Sequence, residues 1–275
     1  MSTRLRIDLG YLGTSFSGWA IQPGLATVQG SLEDALAIAL RCDRSMISSV
    51  VAGRTDAGVH ALHQVCHVDI PSGQAVSNLD ALRKRVQGAL GTQEIALHRI
   101  SLAPEGFDAR FSPLSRTYEY RISDADAMMN PLQHLFTYRS PYSLDDVQMN
   151  ELGRVLCGLH DWASFCRPKA GATTIRTLTH FSWARDDLGT LVGTVKADAF
   201  CHSMVRSLVG AAVAVGRGKL DIQQVLELRD KKERTSAWTT MPAHGLTLLS
   251  IEYPPDDQLA SRALDTRAKR DTAAD

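Results

Sequence analysis

The chain has 275 residues, 44% hydrophobic and 22% charged, with 30 basic side chains balancing 30 acidic ones. That composition suits one or two buried cores and excludes a disordered or low-complexity chain. No apolar run reaches the roughly 18 residues of a membrane span, and Met1 to Arg6 carry no signal-like hydrophobic stretch, so a cytoplasmic location is expected.

Leu5, Ile7 and Leu9 alternate with Arg4, Arg6 and Asp8, the period of a strand with one buried face. Thr27 is placed to cap a helix whose apolar stripe is Val28, Leu32, Ala35, Leu36, Ala39 and Leu40. Ser48 to Ala52 and Leu62 to Ile70 then read as strands, with Gly53-Arg54-Thr55-Asp56-Ala57-Gly58-Val59-His60 as the turn between them. Gly53 and Gly58 permit backbone angles that other residues resist and let a bulky ligand approach the main chain. Asp56 is thereby displayed at a strand end. An arginine within about 4 to 6 Å keeps an aspartate ionised, so Arg54 beside Asp56 suits a carboxylate acting as nucleophile or general base. Taken alone, the tripeptide is better explained as an Asx turn with a surface ion pair.

A connecting region near residues 103 to 113 holds two prolines and no clear period, after which the pattern repeats. Tyr118, Tyr120 and Ile122 share a strand face. Ser143 is expected to cap a helix bearing Val147, Val155, Leu156 and Leu159, with Gly158 near its end. Thr179 to Arg185 and Leu191 to Ala197, joined through Asp186-Asp187-Leu188-Gly189, predict a β-hairpin. Met204, Val205, Leu208, Val209 and Ala212 form a further helical stripe closing near Gly216, with Arg206 on its edge. The polar segment from Asp256 to Asp275 predicts a mobile tail. The expected fold is an α+β protein of two similar halves, residues 1–105 and 106–255, with antiparallel-rich sheets joined edge to edge and helices packed outside.

Other features set limits. The cysteines at 42, 66, 157, 166 and 201 include no CxxC pair and are odd in number, which argues against a disulfide framework or a structural zinc. His60, His63 and His67 would share a helix face, but in a strand His63 and His67 stand about 13 Å apart, too far for one metal ion. Gly216-Arg217-Gly218-Lys219 is not a nucleotide phosphate loop, because Leu220 replaces the required Ser/Thr and Val213 the first glycine.

Motifs along the chain combine into one pattern. Tyr11-Leu12-Gly13-Thr14 with Gly18-Trp19, then Thr27-Val28-Gln29-Gly30, precede the Gly53 to His60 loop. Phe107-Asp108-Ala109-Arg110-Phe111-Ser112 and Arg116-Thr117-Tyr118-Glu119-Tyr120 follow it. Asp161-Trp162-Ala163-Ser164-Phe165, Phe200-Cys201-His202-Ser203-Met204-Val205-Arg206 with Gly210, and Gly245-Leu246-Thr247-Leu248 before Tyr253 complete the series. In this order and spacing they resemble the TruA family of tRNA pseudouridine synthases.

The resemblance implies the pseudouridine synthase fold with a central RNA cleft. It implies isomerisation of uridine to pseudouridine in the anticodon stem-loop of tRNA, at about positions 38 to 40, with the target base flipped out. It also implies a homodimer that needs no metal, nucleotide or other cofactor. By the same resemblance Asp56 is catalytic, Arg54 contacts the nucleic acid beside it, Tyr118 stacks on the target uracil, Arg206 pairs with the carboxylate, and Leu246 and Phe200 wall the base pocket. By periodicity alone Tyr118 is as readily a core tyrosine. Leu12, Ala20, Gly91, Asp108 and Pro113 depart from the family pattern, and bear on how the RNA backbone is held.

A neutral chain that binds RNA needs a local basic surface, since phosphate contacts supply much of the affinity. Arg83-Lys84-Arg85, Arg110, Arg116, Arg121, Arg206, Arg217 and Lys219 are the candidates. Two rivals remain at this point. One is a tRNA-binding or RNA-folding protein of the same fold with little catalysis, and the other is a nucleoside hydrolase that releases free uracil.

Overall fold

The computed structural model describes residues 3–70, 78–167 and 173–267. In chain order the elements are β1 (Thr3–Tyr11), α1 (Val28–Leu40), β2 (Ser49–Val51), β3 (His60–Ile70), α2 (Leu79–Leu90), β4 (Ile95–Leu102), β5 (Ser115–Ser123), β6 (Tyr138–Arg139), α3 (Asp146–Leu156), β7 (Gly158–Asp161), β8 (Ile175–Arg185), β9 (Leu191–Ala197), α4 (Met204–Gly216), α5 (Ile222–Asp230), β10 (Leu246–Glu252) and α6 (Leu259–Arg267). They form an α+β protein of two compact units. The first comprises Met1–Leu114 with Leu248–Asp275, and the second Ser115–Thr247. The second unit is thus shorter at both ends than the expected 106–255, and the chain returns to the first unit after it.

In the first unit the strand order is β4-β1-β3-β10, with β2 on β3. β1 runs antiparallel to both neighbours, pairing Ile7 with Cys66 on one side and with Ile100 on the other. The alternation at Leu5, Ile7 and Leu9 buries all three completely. Thr27 caps α1 as expected, its hydroxyl accepting from the Gly30 N–H at 3.3 Å. The helix buries Val28, Leu32, Ala35, Leu36 and Leu40.

In the second unit the order is β5-β9-β8-β7, antiparallel, with β6 parallel to β5. The expected hairpin is β8–β9, and Gly189 takes a φ of +80° in its turn. β5 buries Tyr118, Tyr120 and Ile122 on one face. α4 buries Met204, Val205, Leu208, Val209 and Ala212, as the stripe requires.

Two expectations fail. Asp145, not Ser143, caps α3: its carboxylate accepts from the Gln148 N–H at 3.0 Å, while Ser143 donates to Asp126. The helix buries Met149, Leu152 and Leu156, Val147 is exposed, and Leu159 lies beyond it in β7. The acidic cap shifts the helix start, and with it the face turned inward. Residues 259–267 of the expected tail form α6, which buries Leu259 and Ala263. Residues 268–275 lie outside the described residues. Leu259 packs with Ala52, Val65, Phe107 and Ala109, so two apolar residues in a polar segment suffice to dock it.

Candidate active site

Pairing of Val51 with Cys66, and the Ala52 N–H bond to the Val65 carbonyl at 2.9 Å, make residues 53–59 the turn of the β2–β3 hairpin. The turn is tied to the segment after β1. The Trp19 N–H donates to the Thr55 carbonyl (3.1 Å) and the Gly58 N–H to the Phe16 carbonyl (3.3 Å). This approach has no room for a side chain on the facing segment. A Cβ at Gly13 would stand 2.0 Å from the Val59 oxygen, and one at Gly18 2.8 Å from the Thr55 oxygen. Gly58 takes the left-handed φ of +77° expected of it; Gly53 does not, and a Cβ there would meet nothing within 4 Å.

Beneath the turn lies a buried polar network. The Tyr11 hydroxyl shares a 2.7 Å hydrogen bond with Thr55 Oγ1. Gln64 Nε2 donates to the Gly53 carbonyl at 2.8 Å and to the Tyr11 hydroxyl at 3.3 Å. Burial pushes the Tyr11 phenol up to about 12, against the hydrogen bonds from Thr55 and Gln64, so it stays neutral at physiological pH. His60 Nδ1 accepts from the Gly13 N–H at 2.9 Å, so its Nε2 carries the proton when the ring is neutral. The loop is therefore fixed by side chains of β1 and β3 on both flanks of Asp56, and its shape is built into the fold. Tyr11 opens the first sequence motif, and Gln64 is a polar residue inside an apolar strand; those two features are the sequence signals of the network.

Asp56 is half-buried, and its carbonyl accepts from the Val59 N–H at 3.1 Å. Arg54 is exposed and makes no ion pair with Asp56 among the described residues. The expected Arg54–Asp56 bridge is therefore absent there: an outward-facing arginine on a tight turn remains in water, where a surface ion pair gains little.

The second unit holds the other expected residues. Tyr118 is buried on β5, and its ring meets that of Phe200 edge-on at 5.2 Å. Arg206, in the first turn of α4 and half-buried, donates from Nε to the Met241 carbonyl at 2.6 Å, while the Met241 N–H donates to the Arg206 carbonyl. This two-way clasp fixes where the guanidinium begins. Leu246 is buried at the start of β10.

The expected basic residues divide. Arg83 and Lys84 bind Asp80, Arg121 binds Glu119 and Asp186, Arg217 stacks on Tyr142, and Arg110 lies over Phe111. Of the family departures, Asp108 gains a structural account. Its carboxylate accepts from the Arg110 and Phe111 N–H groups and meets Arg267 of α6 at 2.6 Å. Cys166 and Cys201 form a disulfide with Cα atoms 5.9 Å apart, a single bridge where a disulfide framework was argued against. The parity argument leaves room for one bridge among five. His63 meets Asp8 and His67 accepts from Ala109, so these rings serve different partners; among the described residues no cluster of His, Cys, Asp and Glu could hold a metal ion.

A family model described as tRNA pseudouridine synthase matches residues 154–254. The chain is 52% identical to the tRNA pseudouridine synthase A of Leifsonia xyli over 98% of both chains. It is 49% identical to that of Frankia casuarinae, over 97% of this chain and 95% of that one. With the archaeal box H/ACA Nop10–Cbf5 complex the TM-score is 0.33 at 12% identity, over 76% of this chain and 44% of that one, too distant to support an inference. Near-complete coverage at half identity, across both units and through the fixed Asp56 turn, establishes that the chain belongs to the tRNA pseudouridine synthase A family.

Proposed function

We propose that this isomerase converts uridine to pseudouridine in the anticodon stem-loop of tRNA, at about positions 38 to 40, after flipping the target base from its stack. Action on tRNA uridine follows from family membership. The observation that carries the site assignment is the half-buried Asp56 on a turn anchored by Tyr11, Thr55 and Gln64. A carboxylate used in catalysis needs its position set before substrate arrives, because misplacement by about 1 Å can cost a hundredfold in rate.

The reaction breaks the bond from uracil N1 to ribose C1′, turns the base, and joins C5 to C1′; the C5 proton leaves and N1 gains one. Substrate and product contain the same atoms. Asp56 attacks C1′ or takes a ribose proton as the glycosidic bond loosens, both being ordinary carboxylate roles. Arg54, exposed on the same turn, contacts the RNA, and its planar fork suits both a phosphate and a base face. Tyr118 stacks on the uracil and its hydroxyl assists the final proton transfer; Leu246 contributes an apolar wall, and Arg206 a positive charge for the catalytic carboxylate. The enzyme works in the cytoplasm as a homodimer.

The test is pseudouridine formation in unmodified tRNA transcripts with a metal chelator present. Asp56→Ala abolishes product and retains tRNA binding; equal turnover by that variant refutes the assignment. Product without free uracil separates isomerase from hydrolase. Transcripts with single uridines replaced at positions in the anticodon arm locate the target, and light scattering reads the oligomeric state.

A further inference from the structure

We propose that a cavity in the second unit, over the first turn of α4, binds a phosphoryl group, in use a backbone phosphate of the bound tRNA. The proposal rests on the reading that tRNA is the substrate. The cavity has a volume of about 310 Å³, room for a phosphodiester group with several waters at about 30 Å³ each. Among its lining residues seven carry hydroxyls, two are the arginines Arg167 and Arg234, and none is acidic.

The hydroxyl chemistry is directional. Trp238 Nε1 can only donate, so in its 2.8 Å bond to Ser207 Oγ the serine is the acceptor. The Ser207 hydroxyl proton must then go elsewhere, and it has no acceptor among the described residues although the residue is 5% exposed. Ser207 lines the cavity, so that proton is available to a group held there. Thr235 Oγ1 likewise accepts from the Ala237 N–H at 3.0 Å, leaving its own proton to donate. Two hydroxyls are thus set as donors at a place lined by arginines.

Both arginines are available. Arg167 and Arg234 are exposed, and neither side chain has a hydrogen bond or ion pair among the described residues. Other arginines of the unit are engaged: Arg229 by Asp230, Arg185 by Asp124, Arg121 by Asp186. Glu233, next to Arg234 in sequence, does not line the cavity. The first turn of α4 contains no acidic residue, so the helix start adds partial positive charge. Guanidinium forks with hydroxyl donors match a phosphate's oxygens. A metal ion is disfavoured, since no carboxylate or imidazole lines the cavity and Cys166 is tied up in its disulfide.

The experiment is tRNA binding by the full chain, by filter retention over a range of salt concentrations. The Arg167→Ala/Arg234→Ala double variant binds tRNA roughly tenfold more weakly, and the slope of log affinity against log salt falls by about one. Its kcat for pseudouridine at saturating tRNA is unchanged, and lysine at both positions restores the slope. Inorganic phosphate competes with tRNA for the parent protein more strongly than for the double variant. An unchanged slope, or a fall in kcat at constant affinity, overturns the proposal. So does phosphate that binds the cavity and leaves tRNA affinity untouched, since the site would then serve a free anion. A parent protein that binds tRNA through this site yet makes no pseudouridine would sink the functional reading alone.

Discussion

Tyr11→Phe isolates what the buried network does for the turn that carries Asp56. The ring stays and only the hydroxyl is lost, removing the 2.7 Å bond to Thr55 and the 3.3 Å bond from Gln64. Gln64 keeps the Gly53 carbonyl, so the main loss falls on Thr55, itself buried at 7% exposure. One buried group left without its partner gives a loss of about 1 to 3 kcal/mol. In urea the midpoint falls accordingly with the slope unchanged, because the surface exposed on unfolding is the same. In a double-mutant cycle with Thr55→Val the two changes are non-additive by about 1 kcal/mol, since both remove one bond. The functional consequence is separate. If the network positions the carboxylate, kcat falls by about one to two orders of magnitude while tRNA affinity holds, because displacement acts on the reacting geometry. A variant that loses the expected stability and keeps its kcat refutes the argument; the network would then support the hairpin and nothing more.

Three further outcomes are expected. His67 is held below the usual imidazole range by burial first and by Arg4 second, and its Nδ1 accepts from the Ala109 N–H at 3.0 Å. Folding therefore favours the neutral ring: its contribution is complete above the unfolded value of about 6.5 and declines as pH falls toward the lower folded value. Urea midpoints between about pH 8 and 5 should show that slope, and His67→Asn, which keeps an acceptor in place of Nδ1, should flatten it; a pH-independent parent contradicts it. The Cys166–Cys201 bridge predicts that denatured, unreduced protein alkylates at Cys42, Cys66 and Cys157 only, and at all five cysteines after reduction. With its ends separated by 35 positions in sequence the bridge is worth about 4 kcal/mol by loop entropy, so Cys166→Ser lowers the urea midpoint; alkylation of all five without reductant rules it out. Burial pushes the Asp124 carboxyl up, but Arg185 and the Leu144 N–H more than offset this and hold it below the usual carboxylate range. Arg185→Met strands that charge and costs about 3 to 5 kcal/mol, and adding Asp124→Asn recovers part of the loss; no recovery would mean the arginine acts by packing.

The strands, α1, α4 and the β8–β9 hairpin were legible because each depends on a local signal: period-two alternation, a capping threonine, a 3.6-residue stripe, a turn cluster. The start of α3 was misread because Ser143 and Asp145 are both competent caps, and which one serves depends on Asp126 claiming Ser143 from 17 residues away. α6 was missed for a related reason. Its docking requires Leu259 to find Ala52, Val65, Phe107 and Ala109, a cluster assembled only in three dimensions. At the site, the turn and its carboxylate were visible in the sequence, but what fixes them was not, since Gln64 and Tyr11 are 53 residues apart.

The missing Arg54–Asp56 bridge changes the physical picture of that turn. An arginine paired to the aspartate would spend its charge on the protein, whereas an exposed one on a rigid turn leaves its charge for the ligand. The same logic runs through the chain's other cations. Arg83 and Lys84, from the Arg83-Lys84-Arg85 run, share the single carboxylate of Asp80, and Arg121 pairs with Glu119 and Asp186. Arg167 and Arg234 have no such partner among the described residues. Net charge of zero is therefore compatible with phosphate binding because the acids are spent on particular bases and leave others alone. The salt dependence of tRNA binding should follow the few arginines without partners and be insensitive to Arg83→Ala, a difference that clustering in the sequence would have predicted the other way.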